Sequence, residues 1–120
     1  MKEVLTSIKA ISEEIRIRLL LLLMDREACV CELMAVFHMA QSKLSHHLLT
    51  LRDAGLLLDE KRGKWNYYRV DTKSLSIENR EVLLSLTRLL ADDETIDNDK
   101  RKLKRVKQIM STGSCSRVAA

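Results

Sequence analysis

Residues 41–70 read QSKLSHHLLTLRDAGLLLDEKRGKWNYYRV. Leu44, Leu48 and Leu51 recur at steps of four and three, the spacing of one helical face. Gly55 is placed to end that helix as a left-handed residue. The period then changes. Leu56–Glu60 and Trp65–Val70 flank Lys61-Arg62-Gly63-Lys64, and aromatic and β-branched residues around a Gly-containing loop predict a β-hairpin. Upstream, a short apolar segment from Ala28 to Phe37 is joined to the Leu44 helix through the turn Phe37-His38-Met39-Ala40. A short helix, a brief turn, a second helix and a basic hairpin together predict a winged helix-turn-helix.

The flanking sequence is helical in pattern. Val4, Leu5, Ile8 and Ile11 predict a first helix, and Ser12 is expected to cap a second, with Glu13 and Glu14 in its first turn. That second helix carries Ile15, Ile17 and the run Leu19–Met24, apolar on most sides, and is read as the core helix. Ser76 is expected to cap a helix bearing Val82, Leu83, Leu86, Leu89 and Leu90. Ile96, Leu103, Val106 and Met110 predict a last amphipathic helix, whose outer face is Lys100, Arg101, Lys102, Lys104, Arg105 and Lys107. The expected fold class is mainly α, with a β-hairpin wing. Residues 1–91 are expected to form the winged helix-turn-helix domain, and residues 92–120 a C-terminal helix and flexible tail.

Composition narrows the class. The 120 residues, 46% of them hydrophobic, suffice for one domain with one core. Three glycines and no proline argue against an all-β fold. No run of about 18 apolar residues occurs, and the start Met1-Lys2-Glu3-Val4 lacks the apolar core of a signal peptide, so a soluble, cytoplasmic protein with no membrane partner is expected. The net charge is +4; residues 40–70 hold six basic and three acidic side chains, so +3 of it falls there, with three of the four aromatics. Basic residues mixed with aromatics suit a nucleic-acid surface. A solvated face plus a hairpin that packs its aromatics would have the same composition.

Gln41, Ser42, Lys43, Ser45 and His46 occupy the exposed start of the Leu44 helix, where a recognition helix meets base edges and phosphates. Lys61, Arg62 and Lys64 are expected at the hairpin tip, within reach of phosphate or the minor groove. Strand alternation puts Trp65 and Tyr67 on one side of the hairpin and Tyr68 on the other.

The hexapeptide Ala28-Cys29-Val30-Cys31-Glu32-Leu33 carries two of the three cysteines, too few for a disulfide scaffold. Cysteines at i and i+2 face opposite ways on a strand and stand about 200° apart on a regular helix. They converge only at a helix start or in a loop. The spacing differs from the Cys-x-x-Cys of redox folds and zinc ribbons, and a four-coordinate zinc site would need two more ligands, for which His38 and Cys115 lack diagnostic spacing. Plain burial in the core is the competing reading of such a pair. An enzyme is not expected: no His stands at a motif spacing from Cys29, and the adjacent His46 and His47 point different ways on a helix.

The segments Ser45-His46-His47-Leu48, Leu51-Arg52-Asp53-Ala54-Gly55-Leu56-Leu57 and Gly63-Lys64-Trp65-Asn66-Tyr67-Tyr68-Arg69-Val70 resemble the ArsR/SmtB family of winged-helix metal-responsive repressors, over about residues 8–90. Members usually carry Ser where this chain has Ala40, a poor cap, so Ser42 or the backbone is expected to cap the recognition helix. Cys29-Val30-Cys31-Glu32-Leu33 and Gly63-Lys64-Trp65 are similar to the arsenic-responsive subgroup. The resemblance implies a repressor that binds operator DNA as a homodimer with no cofactor. Its inducer would be As(III) or Sb(III), taken by Cys29 and Cys31. Pulling both thiols onto one ion would distort the helix start and shift the short helix against the recognition helix.

A third subgroup cysteine is Met34 here, and trivalent arsenic prefers three thiolates. The third ligand is therefore open among Cys115, a small thiol such as glutathione, and solvent oxygen. The implied dimer face is Leu83, Leu86 and Leu90 with Val4 and Ile8. Zinc-, nickel- and cobalt-sensing relatives use His-bearing pairs on the dimer helix, and residues 76–91 contain no His. Cadmium- and lead-sensing relatives add N-terminal cysteines, and residues 1–28 contain none. A thiol-oxidation sensor and a cadmium- or lead-responsive repressor stand as alternatives.

Overall fold

The computed structural model describes residues 1–110. Six helices and three strands follow in the order α1 (Lys2–Ala10), α2 (Glu14–Asp25), β1 (Ala28–Cys29), α3 (Val30–Phe37), α4 (Gln41–Asp53), β2 (Leu58–Arg62), β3 (Trp65–Arg69), α5 (Ile77–Leu89) and α6 (Glu94–Met110). The winged helix-turn-helix forms as the pattern predicts: α3, the turn and α4, then the β2–β3 wing. Strand β1 is an addition to that pattern. It joins the far side of β3, giving the antiparallel order β1-β3-β2 with Ala28 opposite Tyr68 and Cys29 opposite Tyr67. Two residues are too few to show a period, so the sequence pattern does not announce this strand.

The centre of the molecule is α2. Leu19, Leu20, Leu22 and Leu23 are fully buried and Leu21 nearly so. Five consecutive leucines span more than one helical turn, so every side of α2 must be covered, and α4, α5, α6 and β3 all pack on it. Leu33 and Val36 of α3, Leu44, Leu48 and Leu51 of α4, Leu83 of α5 and Leu103 of α6 complete the core. Each buried leucine contributes about 1.5–3 kcal/mol relative to its exposed state.

Helix ends correct two expectations. Glu13, not Ser12, is the N-cap of α2, and it makes no side-chain cap bond. Ser12 Oγ instead donates to Lys9 O at 2.8 Å, serving a carbonyl orphaned at the end of α1. Ser42 does not cap α4 either. Ala40 is the N-cap, in extended backbone and without a side-chain bond, while Ser42 already lies inside the helix and cannot supply that geometry. Two expectations hold. Ser76 Oγ accepts from Asn79 N at 3.1 Å and caps α5. Gly55 takes φ +78° after α4. There Leu56 N bonds Leu51 O and Gly55 N bonds Arg52 O, the paired bonds of a Schellman stop.

The wing is tighter than the sequence suggests. Arg62 pairs with Trp65, so the turn is only Gly63-Lys64, with Gly63 at φ +61°. Lys61 and Arg62 therefore belong to β2 and not to the tip. Tyr68 is buried while Trp65 and Tyr67 are half-buried on the other side, as alternation requires. Helix α6 lies against α2 and α3. Arg101, Lys104 and Arg105 are exposed on its outer face, but Lys100, Lys102 and Lys107 are half-buried, which narrows the basic face expected there. Cys115 lies outside the described residues. Among the described residues no helix is long and apolar enough to cross a membrane.

Candidate thiol site and nucleic-acid interface

Cys29 closes β1 and is the N-cap of α3, in extended backbone at φ −91°, ψ 167°. Its sulfur accepts the backbone N–H of Glu32, and Glu32 Oε1 accepts the N–H of Cys29 at 3.0 Å. This is a capping box with a thiol in place of the usual hydroxyl. Cys31 stands two residues on, in the first turn. The pair thus sits at a helix start, one of the two settings in which i and i+2 side chains can converge. Cys29 is buried, Cys31 is half-buried, and neither is in a disulfide. Two soft sulfur donors suit a thiophilic ion. Among the described residues no group of three His, Cys, Asp or Glu side chains is arranged to hold a metal. Met34 is packed against the core.

The surroundings of the site are ionic. Glu32 Oε1 also accepts from Lys107 Nζ of α6 at 2.9 Å. Two residues before Cys29, Glu27 takes both ends of the Arg62 guanidinium, at 2.7 and 2.9 Å. Arg62 further bonds Glu60 at 2.7 Å and lies over the Tyr67 ring, 4.6 Å from its centre. The hydrogen bonds that Arg62 donates to Glu27 and Glu60 raise its pKa above the ordinary value, and Arg62 in turn holds the Glu27 carboxyl below the usual range. Its sequence position suggests a hairpin-tip residue that reaches phosphate. Arg62 is instead committed to two carboxylates: the shorter turn places it inside β2, opposite Trp65, and its side chain lies over Tyr67 of β3 and reaches Glu27.

The start of α4 is open. Gln41, Ser42, Lys43 and His46 are exposed and Ser45 is half-buried. The first turn contains no acidic residue and the cap makes no side-chain bond, so backbone N–H groups there are left for an outside acceptor. Lys61 and Lys64 are exposed on the wing.

His47 turns the other way. It is buried, and Arg16 Nε donates to its Nδ1 at 3.1 Å. Arg16 is held in place by Glu13 at 2.6 Å. Burial first, then the charge of Arg16, lowers the pKa of His47. The position of Arg16 on α2 gives no hint of this partner, 31 residues away.

A second polar link joins three helices. Ser7 of α1 hydrogen-bonds Asn79 Oδ1 of α5, and Asn79 Nδ2 donates to Ala54 O, at the end of α4, at 2.9 Å. Beside it, Val4, Leu5 and Ile8 of α1 and Ile77 and Leu84 of α5 are exposed apolar side chains. Leu83, expected on this outer face, is instead 1% exposed and belongs to the core. Leu86 and Leu90 are half-buried.

A family model described as "Bacterial regulatory protein, arsR family" matches residues 13–57. The chain is 42% identical over 74 residues to the arsenic resistance transcriptional regulator ArsR1 of Pseudomonas putida, a match spanning 58% of each chain. It is 33% identical over 84 residues to the arsenical resistance operon repressor of Staphylococcus aureus, covering 68% of this chain and 81% of that one. Of two further arsenic-resistance regulators it spans little more than half the length. The solved structure of reduced HlyU from Vibrio cholerae superposes with a TM-score of 0.62 at 32% identity, covering 73% of this chain and 88% of that one.

Proposed function

Because the chain belongs to the arsR family of bacterial regulatory proteins, we propose that it is an arsenite- or antimonite-responsive transcriptional repressor. In this reading it binds operator DNA as a homodimer and leaves it when the metalloid takes Cys29 and Cys31. The observation that carries the reading is the double duty of Cys29. It caps the first helix of the DNA-reading pair and also pairs with the wing strand β3. One thiol-bearing residue thus joins the wing strand directly and starts the helix on which α4 packs.

The chemistry is ligand exchange. Arsenous acid and two thiols form two As–S bonds, and each thiol proton leaves with a hydroxide as water. For both sulfurs to meet one atom, Cys29 must release the Glu32 N–H. The start of α3 then loosens, and α3 packs directly on α4. The third ligand would be Cys115, a small thiol or solvent oxygen. On the DNA side, Gln41, Ser42, Lys43, Ser45 and His46 face the major groove, while Lys61 and Lys64 of the wing meet phosphate. Arg62 would join them only by giving up Glu27. The exposed apolar side chains of α1 and α5 supply the dimer face. Residues 1–91 would hold these functions, with residues 92–120 appended. Coupling of about 1–3 kcal/mol between metalloid and DNA would weaken each about 5–150-fold in the presence of the other.

The test is fluorescence anisotropy on the promoter DNA of its own gene. Arsenite or antimonite should release the wild type and leave Cys29→Ser and Cys31→Ser bound. Release of the double Cys→Ser variant by arsenite would overturn the reading. The likeness to reduced HlyU favours a second reading, release by thiol oxidation. Peroxide releasing DNA where arsenite does not would select it.

A further inference from the structure

We propose that α6 sets the inducer threshold, with Lys107 acting as a positioning residue of the thiol site. The proposal rests on Cys29 and Cys31 being that site. Glu32 Oε1 accepts the Cys29 N–H at 3.0 Å and the Lys107 ammonium at 2.9 Å. The side chains are 10% and 22% exposed, so the pair is largely out of water. At the other end of α3, Asp99 of α6 takes Arg18 at 2.9 and 2.8 Å, and the Arg18 guanidinium lies 5.1 Å from the centre of the Phe37 ring. Helix α6 therefore runs antiparallel beside α3 and is fastened near both its ends.

This splint opposes the motion that ligand exchange demands. While the capping box is closed, the Cys29 sulfur is turned to the Glu32 N–H. Meeting the Cys31 sulfur on one atom requires the box to open and Glu32 to move. Lys107 holds the Glu32 carboxylate where the Cys29 N–H needs it. Removing that ammonium leaves a largely buried carboxylate without its cation and frees it to swing outward. The closed helix start is then less favoured, and a lower metalloid concentration opens it. Lys107 does not ligate the metalloid; it biases the residue that caps the ligand.

The test compares Lys107→Met and Lys107→Arg in the full chain. In metal-free protein, the rate at which iodoacetamide alkylates Cys29 is read by mass spectrometry. Lys107→Met should speed it about three- to tenfold, the reach of a half-buried charged hydrogen bond, and Lys107→Arg should restore it. The arsenite concentration for half-release from DNA should fall by a similar factor in Lys107→Met, with metal-free DNA affinity within about twofold of wild type. Unchanged alkylation and threshold, or no rescue by arginine, overturns the proposal. If Lys107→Met does not fold, Glu32→Gln keeps an acceptor for the Cys29 N–H, removes the charge that Lys107 holds, and should show the same increase. Arsenite release from the double Cys→Ser variant would defeat the reading of the thiols, while alkylation still decides the role of Lys107.

Discussion

His47 cannot take a second proton without losing the hydrogen bond from Arg16 and meeting its charge. Its folded pKa lies below the ordinary imidazole value of about 6.5. Above that pH the ring is neutral in both folded and unfolded chains, and the stabilisation is fully present. As pH falls through about 6.5 the unfolded chain binds the proton first, so stability is lost from there down to the folded pKa. Urea melts between about pH 7.5 and pH 5 should show this loss, and His47→Gln should flatten it. An unchanged pH slope would remove His47 from the account. The burial of His47 was legible in the sequence: it stands three residues after Leu44 and four before Leu51, on the apolar face of α4. Its partner was not, because an Arg inside a leucine-rich helix looks the same whether it reaches solvent or a buried ring.

At the scale of elements, the wing and α4 should divide the work of holding phosphate. Lys43→Ala, Lys61→Ala and Lys64→Ala should each lower the slope of log affinity against log salt by about one for every phosphate left without its cation. Arg62→Gln should leave that slope unchanged, because its charge is already met by Glu27 and Glu60. Salt titrations of DNA binding read the difference directly, and a slope change in Arg62→Gln would place it on DNA. The hairpin was legible from Gly63 and the alternation of Trp65, Tyr67 and Tyr68. Its exact turn was not: the run Lys-Arg-Gly-Lys looks like a four-residue tip, and only the pairing of Arg62 with Trp65 shows a two-residue one. The thiol site was half legible. The i, i+2 spacing left a helix start or a loop, of which the chain uses the first, while the tie from Lys107 joins residues 75 apart and left no local trace.

At the scale of the molecule, exposed apolar side chains on α1 and α5 predict self-association. Ile8→Glu or Leu84→Glu should halve the mass seen by sedimentation and weaken promoter binding about tenfold or more, since one winged helix reads only one half-site. A wild-type chain that sediments as a monomer would overturn this. Composition and periodicity were enough for the class and for the order of the helices and the hairpin, while the two-residue β1 left no period to read. The ion pairs that fasten α6, Asp99 with Arg18 of α2 and Lys107 with Glu32 of α3, were not legible, because charged residues on an amphipathic helix read by default as solvent-facing.

The link from Ser7 through Asn79 to Ala54 has a consequence for the DNA itself. It fastens the helices of the proposed dimer face to the stop of α4, so the two recognition helices of a pair would be held at a fixed separation and phase. Inserting one base pair between half-sites turns one of them by roughly 35°, given 10–10.5 base pairs per turn. A stiffly tied helix cannot follow that rotation. Operators should therefore tolerate altered letters better than altered length, and loosening the tie with Asn79→Ala should relax the demand on spacing before it relaxes the demand on sequence.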